Sequence, residues 1–260
     1  MKQYLFLSPH LDDVILSCGM YIHKLIQNNS KVIIATVFSG SIEPQYLSPL
    51  AKWFHSTCKL GNNAMMVRRL EDKNASKFVK ADSIHLNLHE CLYRRNANGS
   101  PRYLRESNIY NANLNKEKDT INKVNLVLKD KFKLNNFERI YIPLGIGRHI
   151  DHLILRKAVE TLCTQVDKNI KKINYYEDIP YACSNRDVNW KTELTKGLNY
   201  YSYNINEEEF NIYIKAISLY KSQIHMLWSN NIEMRKQLKN YFMDSKSKML
   251  KSRVWEKTFF

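Results

Sequence analysis

The feature that most constrains the fold is a strand–helix–strand pattern at the N-terminal end of the chain. Residues 4–8 form a short run that is apolar on both faces, which is typical of a strand in a parallel sheet. Between Asp13 and Gln27, apolar residues recur with the spacing of an amphipathic helix, and the β-branched run 31–38 predicts a second strand. Such a βαβ unit implies a parallel sheet with a right-handed crossover.

The alternation of strands and helices continues along the chain. Further elements are predicted as helices over 49–79, 115–134 and 150–166 and as strands over 83–88, 139–144 and 172–176. From about residue 205 the pattern is mainly helical, and residues 94–116 are predicted to form a mobile loop near the site. We therefore expect an α/β fold, a Rossmann-like three-layer α/β/α sandwich with a mostly parallel sheet. The whole chain, 1–260, is predicted to be one domain with a helical C-terminal extension over about 205–260.

Composition excludes several classes of protein. The chain of 260 residues is 44% hydrophobic, enough to build a core, and it has no apolar run of the roughly 18 residues that a membrane span needs. The apolar segment before Ser8 is too short for the core of a signal peptide, so a cytoplasmic location is expected. The five scattered cysteines form no C-x-x-C pair, which argues against a disulfide framework and against a cysteine–zinc site. We expect them to be buried, reduced thiols.

The net charge of +15 raises the question of nucleic-acid binding. The lysines are spread along the chain among asparagine and acidic residues, with no dense arginine-rich run. This pattern favours solvated helix faces and predicts no specific nucleic-acid partner. An acidic or phosphorylated substrate is the alternative that composition leaves open, as is a homo-oligomer.

Two short motifs follow predicted strands and carry the chemistry. The first is His10-Leu11-Asp12-Asp13, and the second is His149-Ile150-Asp151-His152. Open α/β sheets bind ligands at the carboxyl ends of their strands, where both motifs fall. A catalytic zinc takes three protein ligands and leaves one position open for water. The motifs can supply His10, Asp13 and His152 as those ligands.

The remaining motif residues suit the hydrolysis of an amide. Zinc lowers the pKa of a bound water and polarises a carbonyl. Asp12 is then predicted to act as general base, and His149 as the acid that protonates the leaving amine. Asp151 is predicted to orient the His149 ring and to favour its charged form. The alternative is that the aspartates merely cap a helix and that the histidines are incidental.

These segments resemble a known family. Residues 8–19 (SPHLDDVILSCG) and 143–152 (PLGIGRHIDH) look like the two signature segments of the LmbE/PIG-L-like N-deacetylases. Residues 68–75 (RRLEDKNA) are similar to the family's R-x-x-E-x-x-x-A helix, and 176–182 and 220–223 also resemble family segments. The resemblance implies a Rossmann-like fold, one Zn²⁺ or another divalent ion per chain, and removal of an acyl group, acetyl above all, from glucosamine-like sugars or glycoconjugates. It assigns the metal to His10, Asp13 and His152, and catalysis to Asp12, His149 and Asp151. In this assignment Asp12 is the base, His149 stabilises the tetrahedral intermediate or protonates the leaving amine, and Asp151 modulates His149.

The resemblance also suggests substrate contacts and shows one departure. Arg68 resembles an arginine that meets the sugar, although an ion pair with Glu71 one helical turn away is the alternative. Glu90 stands where an acidic residue often binds hydroxyls, and the alternative for it is a solvated loop carboxylate. Some members carry a tyrosine where this chain has Gly147, so another oxyanion donor is needed.

Three other functions stay open at this stage. They are an amidase of the same family that acts on a thiol or other conjugate, a relative that binds a sugar or nucleotide without turnover, and a nucleic-acid-binding protein. Tyr176, Glu177 and Tyr181 are further residues that lie near the predicted pocket, although a tyrosine stripe at a strand end more often packs in the core.

Overall fold

A seven-stranded mixed sheet forms the centre of the computed structural model, which describes residues 1–61, 63–163, 173–184 and 190–257. The strands are β1 (Gln3–Ser8), β2 (Lys31–Thr36), β3 (Asp82–His85), β4 (Arg139–Pro143), β5 (Ile173–Tyr176), β6 (Leu198–Ile205) and β7 (Leu250–Lys257). Their order across the sheet is β3-β2-β1-β4-β5-β7-β6. The strands from β3 to β5 in this order pair in parallel, whereas β7 is antiparallel to both of its neighbours.

Helices flank the sheet on both faces. They are α1 (Asp13–Gln27), α2 (Pro49–Thr57), α3 (Ala64–Phe78), α4 (Glu106–Tyr110), α5 (Lys118–Lys131), α6 (Ile150–Thr161), α7 (Trp190–Leu194), α8 (Glu207–Ile217), α9 (Lys221–Leu227) and α10 (Asn231–Phe242). Helix α8 packs against α1 and α3, and α5 packs against α6. The expected three-layer α/β/α architecture is confirmed. Among the described residues, no helix combines the length and the apolar character needed to cross a bilayer.

The strand order creates a crevice between β1 and β4. From β1 the chain moves through α1 to β2 on one side, whereas from β4 it moves through α6 to β5 on the other. Right-handed crossovers in opposite directions place α1 and α6 on opposite faces of the sheet. The loops that follow β1 and β4 therefore diverge, which is the position where such sheets bind ligands.

Aromatic packing fixes β1 against β4 beneath this crevice. The Phe6 and Tyr141 rings stack with their centroids 4.2 Å apart, and the Tyr21 hydroxyl of α1 lies 2.8 Å from the Tyr141 hydroxyl. Phe6 and Tyr141 are fully buried. Burial of such side chains contributes about 1.5–3 kcal/mol each and provides a rigid base for the loops above.

Several predicted elements are confirmed, and others need correction. Helix α1 and the first five strands lie where the periodicity predicts them. Residues 164–166 of the predicted helix 150–166 and residue 172 of the predicted strand 172–176 fall outside the described residues. The predicted helix over 49–79 is two helices, because the chain turns at Lys59 with a positive φ of 54°. The predicted loop 94–116 contains α4.

The largest correction concerns the C-terminal portion, which is not wholly helical. Strand β7 pairs with β5 and thus lies inside the main sheet, and β6 pairs with β7. In β7 the buried Leu250, Ser252 and Val254 alternate with partly exposed residues, so the strand has the expected period of two. The period is hard to recognise in the sequence because a polar residue, Ser252, is on the buried face and because Trp255 next to Val254 is buried as well.

Candidate active site

The two motifs meet at the carboxyl ends of β1 and β4. The ring centroids of His10 and His149 lie 4.8 Å apart, those of His10 and His152 lie 5.4 Å apart, and those of His149 and His152 lie 5.2 Å apart. All three rings are buried, as are Asp12, Asp13 and Asp151. The fold thus brings together two groups of residues that are separated by more than 130 positions in the sequence.

Asp12 is not used to cap α1. It occupies the position before the helix, yet its side chain makes no capping hydrogen bond. The Ser8 hydroxyl instead accepts a hydrogen bond from the Val14 N–H at 3.2 Å and donates one to the His10 carbonyl at 2.6 Å. Capping by Ser8 leaves the Asp12 carboxylate at the wall of the cavity described below. The helix-cap interpretation of this motif therefore does not apply to Asp12.

Asp13 lies between two imidazole rings. Its Oδ2 atom is 3.1 Å from His10 Nδ1 and 3.4 Å from His152 Nε2, and it also accepts the His10 N–H at 2.8 Å. Ligand atoms about 2.0–2.2 Å from a tetrahedral zinc lie roughly 3.2–3.6 Å from one another. The distances from Asp13 Oδ2 to the two ring nitrogens are compatible with such a set of ligands.

Asp178 fixes the orientation of His152. Its Oδ1 atom lies 2.6 Å from His152 Nδ1, and its Oδ2 atom accepts the backbone N–H groups of Gly145 and Ile146 at 2.8 and 2.9 Å. A carboxylate accepts, so Nδ1 carries the hydrogen and Nε2 keeps its lone pair. Nε2 is buried and has no hydrogen-bond partner among the described residues. A buried ring nitrogen with a free lone pair beside a carboxylate is suited to binding a metal ion.

Asp151 fixes His10 in the same way. Its Oδ2 atom lies 3.0 Å from His10 Nε2 and accepts the Cys91 N–H at 2.8 Å, and its Oδ1 atom accepts from the Arg94 guanidinium. His10 Nε2 therefore carries a hydrogen, and Nδ1, which faces Asp13, is the nitrogen that can exchange its proton for a metal ion. The sequence predicts that Asp151 orients His149, but its carboxylate hydrogen-bonds His10. Asp151 lies in the first turn of α6, and from there its side chain reaches His10 in the loop after β1.

His149 caps α6 and is held neutral. Its Nδ1 atom accepts the Asp151 backbone N–H at 3.2 Å, so the hydrogen is on Nε2, which lies 3.8 Å from Cys91 Sγ. Burial and the neighbouring His10 ring hold the pKa of His149 well below its usual range. This is opposite to the expected charged form. Cys91 has no motif around it that would single it out in the sequence.

Two other groups of donors lie near the His10–Asp13–His152 set, and the first of them shares His10 and His152 with it. The ring nitrogens of the three histidines lie within 4.8 Å of one another, and so do donors of Cys91, His149 and Asp151. In both groups His149 would have to exchange its capping hydrogen bond for a metal bond. The His10–Asp13–His152 set requires no such rearrangement, so these residues fit a divalent ion best.

The electrostatics of the site favour positive charge. Burial lowers the pKa of His10, but the Asp13 and Asp151 carboxylates outweigh it and raise this pKa to about 10. Burial would raise the pKa of Asp13, but the rings of His152 and His10 hold it well below its usual range. Burial and the Asp13 carboxylate raise the pKa of Asp12 to about 7. Asp12 is thus the more basic of the two adjacent carboxylates.

A cavity of about 580 Å³ opens onto these residues. His10, Asp12, Asp13 and His149 line one end, and Arg68 and Glu90 line it next to them. The Arg68 guanidinium lies 3.3 Å from Glu90 Oε2, and both side chains are buried. The pair with Glu71 considered from the sequence does not form, because Glu71 accepts from Ser222 instead. Glu90 is likewise not a solvated loop carboxylate.

Gly147 is next to two tyrosines that line the same cavity. A Cβ atom at Gly147 would lie 2.6 Å from the Tyr181 ring, so this ring occupies the space that a side chain at position 147 would need. The Tyr181 ring is 5.6 Å from His152, and the Tyr110 ring is 5.5 Å from His149. Both rings line the cavity. A phenol at this site therefore comes from elsewhere in the chain.

Two other residues considered from the sequence, Tyr176 and Glu177, do not line this cavity. The Tyr176 hydroxyl bonds the Leu7 carbonyl in the core, and Glu177 pairs with Arg253. The five cysteines are free thiols, and Cys18, Cys58 and Cys91 are buried. A larger cavity of about 890 Å³ runs along the far side of α3, and none of the motif residues lines it. We therefore place the chemistry in the smaller cavity.

Comparison with known proteins gives concordant matches. The family model described as GlcNAc-PI de-N-acetylase (PIG-L) matches residues 5–163. A 2'-N-acetylparomamine deacetylase from Niallia circulans is 26% identical over 193 residues, covering 69% of this chain and 68% of its own length.

Solved structures show the same fold. A deacetylase of teicoplanin biosynthesis has a TM-score of 0.85 at 23% identity, covering 98% of this chain and 97% of its own. The zinc-inhibited form of a teicoplanin deacetylase has a TM-score of 0.80 at 21% identity, with coverage of 98% and 97%. The A40926 pseudoaglycone deacetylase has a TM-score of 0.78 at 24% identity, with coverage of 97% and 96%.

Proposed function

The chain belongs to the PIG-L family of de-N-acetylases, and on that premise we propose that it is a zinc-dependent enzyme that removes an N-acyl group from an amino-sugar substrate. Acetyl is the acyl group that the names of its relatives favour. The proposal assigns the metal to His10, Asp13 and His152. It assigns catalysis to Asp12 and His149 and substrate contacts to Arg68 and Glu90.

One observation carries this proposal. Two imidazole nitrogens, His10 Nδ1 and His152 Nε2, face a single oxygen of Asp13, at 3.1 and 3.4 Å. Asp151 and Asp178 hold the opposite nitrogens of the two rings. Histidine ligands of zinc are oriented by carboxylates in this way. One structurally similar protein is described as a zinc-inhibited form, which supports the binding of a divalent ion at this place in the fold.

The residues around the metal ligands divide the chemistry of amide hydrolysis between them. A bound divalent ion supplies polarisation of the carbonyl and a lower pKa of water. Asp12, whose pKa is raised to about 7, accepts the proton of the attacking water and can return it to the leaving nitrogen. His149, neutral with its hydrogen on Nε2, donates a hydrogen bond to the developing oxyanion. Of the two roles expected for His149, the proposal adopts stabilisation of the tetrahedral intermediate.

The substrate class follows from the cavity and from the relatives. The Arg68–Glu90 pair offers charged hydrogen-bond donors and acceptors beside the catalytic end, which suits sugar hydroxyls. Relatives are named for deacetylating an acetylated paromamine and glycopeptide-pathway compounds. An N-acylated amino sugar is therefore the substrate class that we propose. Asp151 acts through His10 as a positioning residue.

The test is an assay of primary-amine release. The purified protein is incubated with a panel of N-acetylated glucosamine derivatives, including a pseudo-disaccharide, with Zn²⁺ and with a chelator. We expect amine release from at least one compound, its loss with chelator and its return when zinc is restored. Binding of these compounds without any amine release in the zinc-loaded protein would contradict the proposal and favour a binding-only relative.

A further inference from the structure

Helix α2 presents an apolar stripe to the catalytic cavity. Leu50, Trp53, Phe54 and Thr57 are spaced by three, one and three residues, so they lie on one face of the helix, and all four line the cavity. The exposed fraction of Trp53 is 52%, which is large for tryptophan. This face of α2 thus lines the cavity with the exposed Trp53, while Leu50 and Phe54 are partly buried and also contact the core.

Apolar side chains from two other helices line the same cavity. Ile109 and Tyr110 come from α4, and Met226 and Leu227 come from α9. The side chain of Met226 touches the end of α2 through a contact of 3.6 Å between its Sδ atom and Cys58 Sγ. The apolar lining of the cavity therefore comes from three helices, and Met226 of α9 contacts the end of α2.

The apolar lining is continuous with the catalytic end. The Arg68 guanidinium lies over the Phe54 ring at 5.6 Å, and Arg68 pairs with Glu90. On the other side, the Tyr110 ring lies 5.5 Å from the His149 ring. A molecule whose amide lies at the histidines thus meets apolar surface immediately beyond them. A cavity of about 580 Å³ is also larger than a single acetylated sugar requires, since volumes of roughly 300–1,000 Å³ hold drug-sized ligands.

We infer that the natural substrate carries an apolar group, an alkyl chain or an aryl ring, which packs along α2 against Trp53 while the amide lies at the histidines. This inference rests on the proposed function and deepens it. The apolar group can belong to the acyl side of the amide or to the aglycone of the sugar. Both have the same chemistry, so the experiment has one arm for each.

The first arm lengthens the acyl group on glucosamine from acetyl to hexanoyl and octanoyl. The second changes the aglycone of N-acetylglucosamine from methyl to octyl and 4-nitrophenyl. We expect kcat/KM to rise at least about tenfold along one of the two series. This factor corresponds to ~1.4 kcal/mol, which is less than the burial of two methylene groups contributes. Flat values along both series, with the acetylated parent compound still hydrolysed, would overturn the inference and leave the proposed function standing.

Two variants separate the apolar lining from general effects. Trp53→Ser should bring kcat/KM for the longest compound of the responsive series to within about twofold of that for its smallest compound, and circular dichroism checks that the variant is folded. Leu126→Ser on α5, where the side chain is 66% exposed and lines none of the cavities described above, should leave both values unchanged. A gain that survives Trp53→Ser contradicts the placement along α2.

A binding measurement does not depend on turnover. Isothermal titration of the zinc-loaded protein compares octyl and methyl glucosaminides, which are products of the second arm, and octanoate with acetate for the first arm. In at least one of the two pairs, we expect the apolar compound to bind at least about tenfold tighter than its small counterpart. Trp53→Ser should reduce this difference in affinity. If no compound releases amine, the proposed function fails. Equal affinities within both pairs would reject the inferred apolar group of the substrate, whatever the outcome of the amine-release assay.

Discussion

The Asp178 carboxylate lies 2.6 Å from Nδ1 of His152, on the opposite side of the ring from the Nε2 atom that faces Asp13. Its second oxygen is held by two backbone N–H groups of the loop after β4. The loop, the carboxylate and the imidazole thus form one rigid unit. Such an arrangement raises the basicity of a metal-binding nitrogen.

We expect Asp178→Asn to weaken zinc binding by roughly 10–100-fold. A neutral amide places less negative charge beside the His152 ring and does not fix which ring nitrogen carries the hydrogen. Competition titration against a chromophoric chelator measures the affinity, and circular dichroism checks the fold. Asp82→Asn is the control, since Asp82 is an exposed carboxylate that pairs with Lys31 far from the site. An unchanged affinity in Asp178→Asn would count against His152 as a ligand.

Substitutions at Asp12 and His152 should have separable effects. Asp12→Asn removes the proposed base and should lower kcat by about 10²–10⁴-fold while the protein keeps its zinc. His152→Ala removes a proposed ligand and should lose both turnover and metal. Atomic emission measured on dialysed protein, together with the amine-release assay, distinguishes the two. Metal loss in Asp12→Asn at the level of His152→Ala would show that Asp12 is a ligand.

The sequence is informative about the site where the relevant residues are neighbours in the chain. Each motif lies where the loop after a buried strand leads into the next helix, and parallel pairing of β1 with β4 brings these two positions together. The apolar strands can be recognised individually, so the convergence of His10 and His152 can be predicted from the sequence.

The supporting residues cannot be found in the same way. Arg94 lies in a polar segment predicted as a mobile loop, yet it is buried, pairs with Asp151, and lies over the Phe38 ring at 5.5 Å. Asp178 follows β5, and no spacing rule links it to His152. Such partners depend on the tertiary placement of loops. The Asp151 side chain points toward His10 and away from the His149 ring. This direction also depends on the tertiary placement of the loops.

Gly147 should tolerate no side chain, because its φ is 80° and a Cβ would meet the Tyr181 ring at 2.6 Å. Gly99 has nearly the same φ, 79°, but a Cβ there would meet no described atom within 4 Å. We expect Gly99→Ala to cost about 1–2 kcal/mol of unfolding free energy for the backbone alone. Gly147→Ala should cost at least about 1 kcal/mol more and should lower kcat. Chemical denaturation measures both, and equal losses would mean that Tyr181 moves aside freely.

The buried pair of Arg68 and Glu90 should be costly to break. Glu90→Gln leaves the Arg68 charge buried beside a neutral amide, and we expect a loss of about 3 kcal/mol in the free energy of unfolding. Glu256→Gln, which breaks the more exposed pair with Arg139, should cost less than about 1 kcal/mol. If Glu90 also binds substrate hydroxyls, KM rises in Glu90→Gln even at temperatures where the variant is fully folded. A cost no larger than that of the Glu256 control would argue that Arg68 reaches water or another carboxylate.

The pH dependence of stability should report the ionisation of Asp12 in the metal-free protein. Burial and Asp13 raise the pKa of Asp12 from 3.8 to about 7 in the folded chain. Between these values the folded state binds more protons than the unfolded state, so stability falls as pH rises and the loss is complete above about 7.

Asp12→Asn cannot ionise, so in the presence of a chelator it should be more stable than the parent at pH 8, by roughly 2–4 kcal/mol, and the difference should shrink toward pH 5. Asp244→Asn should behave oppositely, because hydrogen bonds from Ser247 lower the pKa of Asp244 to about 2 and its stabilising effect is therefore present at pH 8. Denaturation curves at several pH values measure both variants. A parent protein as stable at pH 8 as Asp12→Asn would mean that the Asp12 carboxylate is solvated or already paired with a cation, and the residue would then lack the basicity on which its proposed role depends.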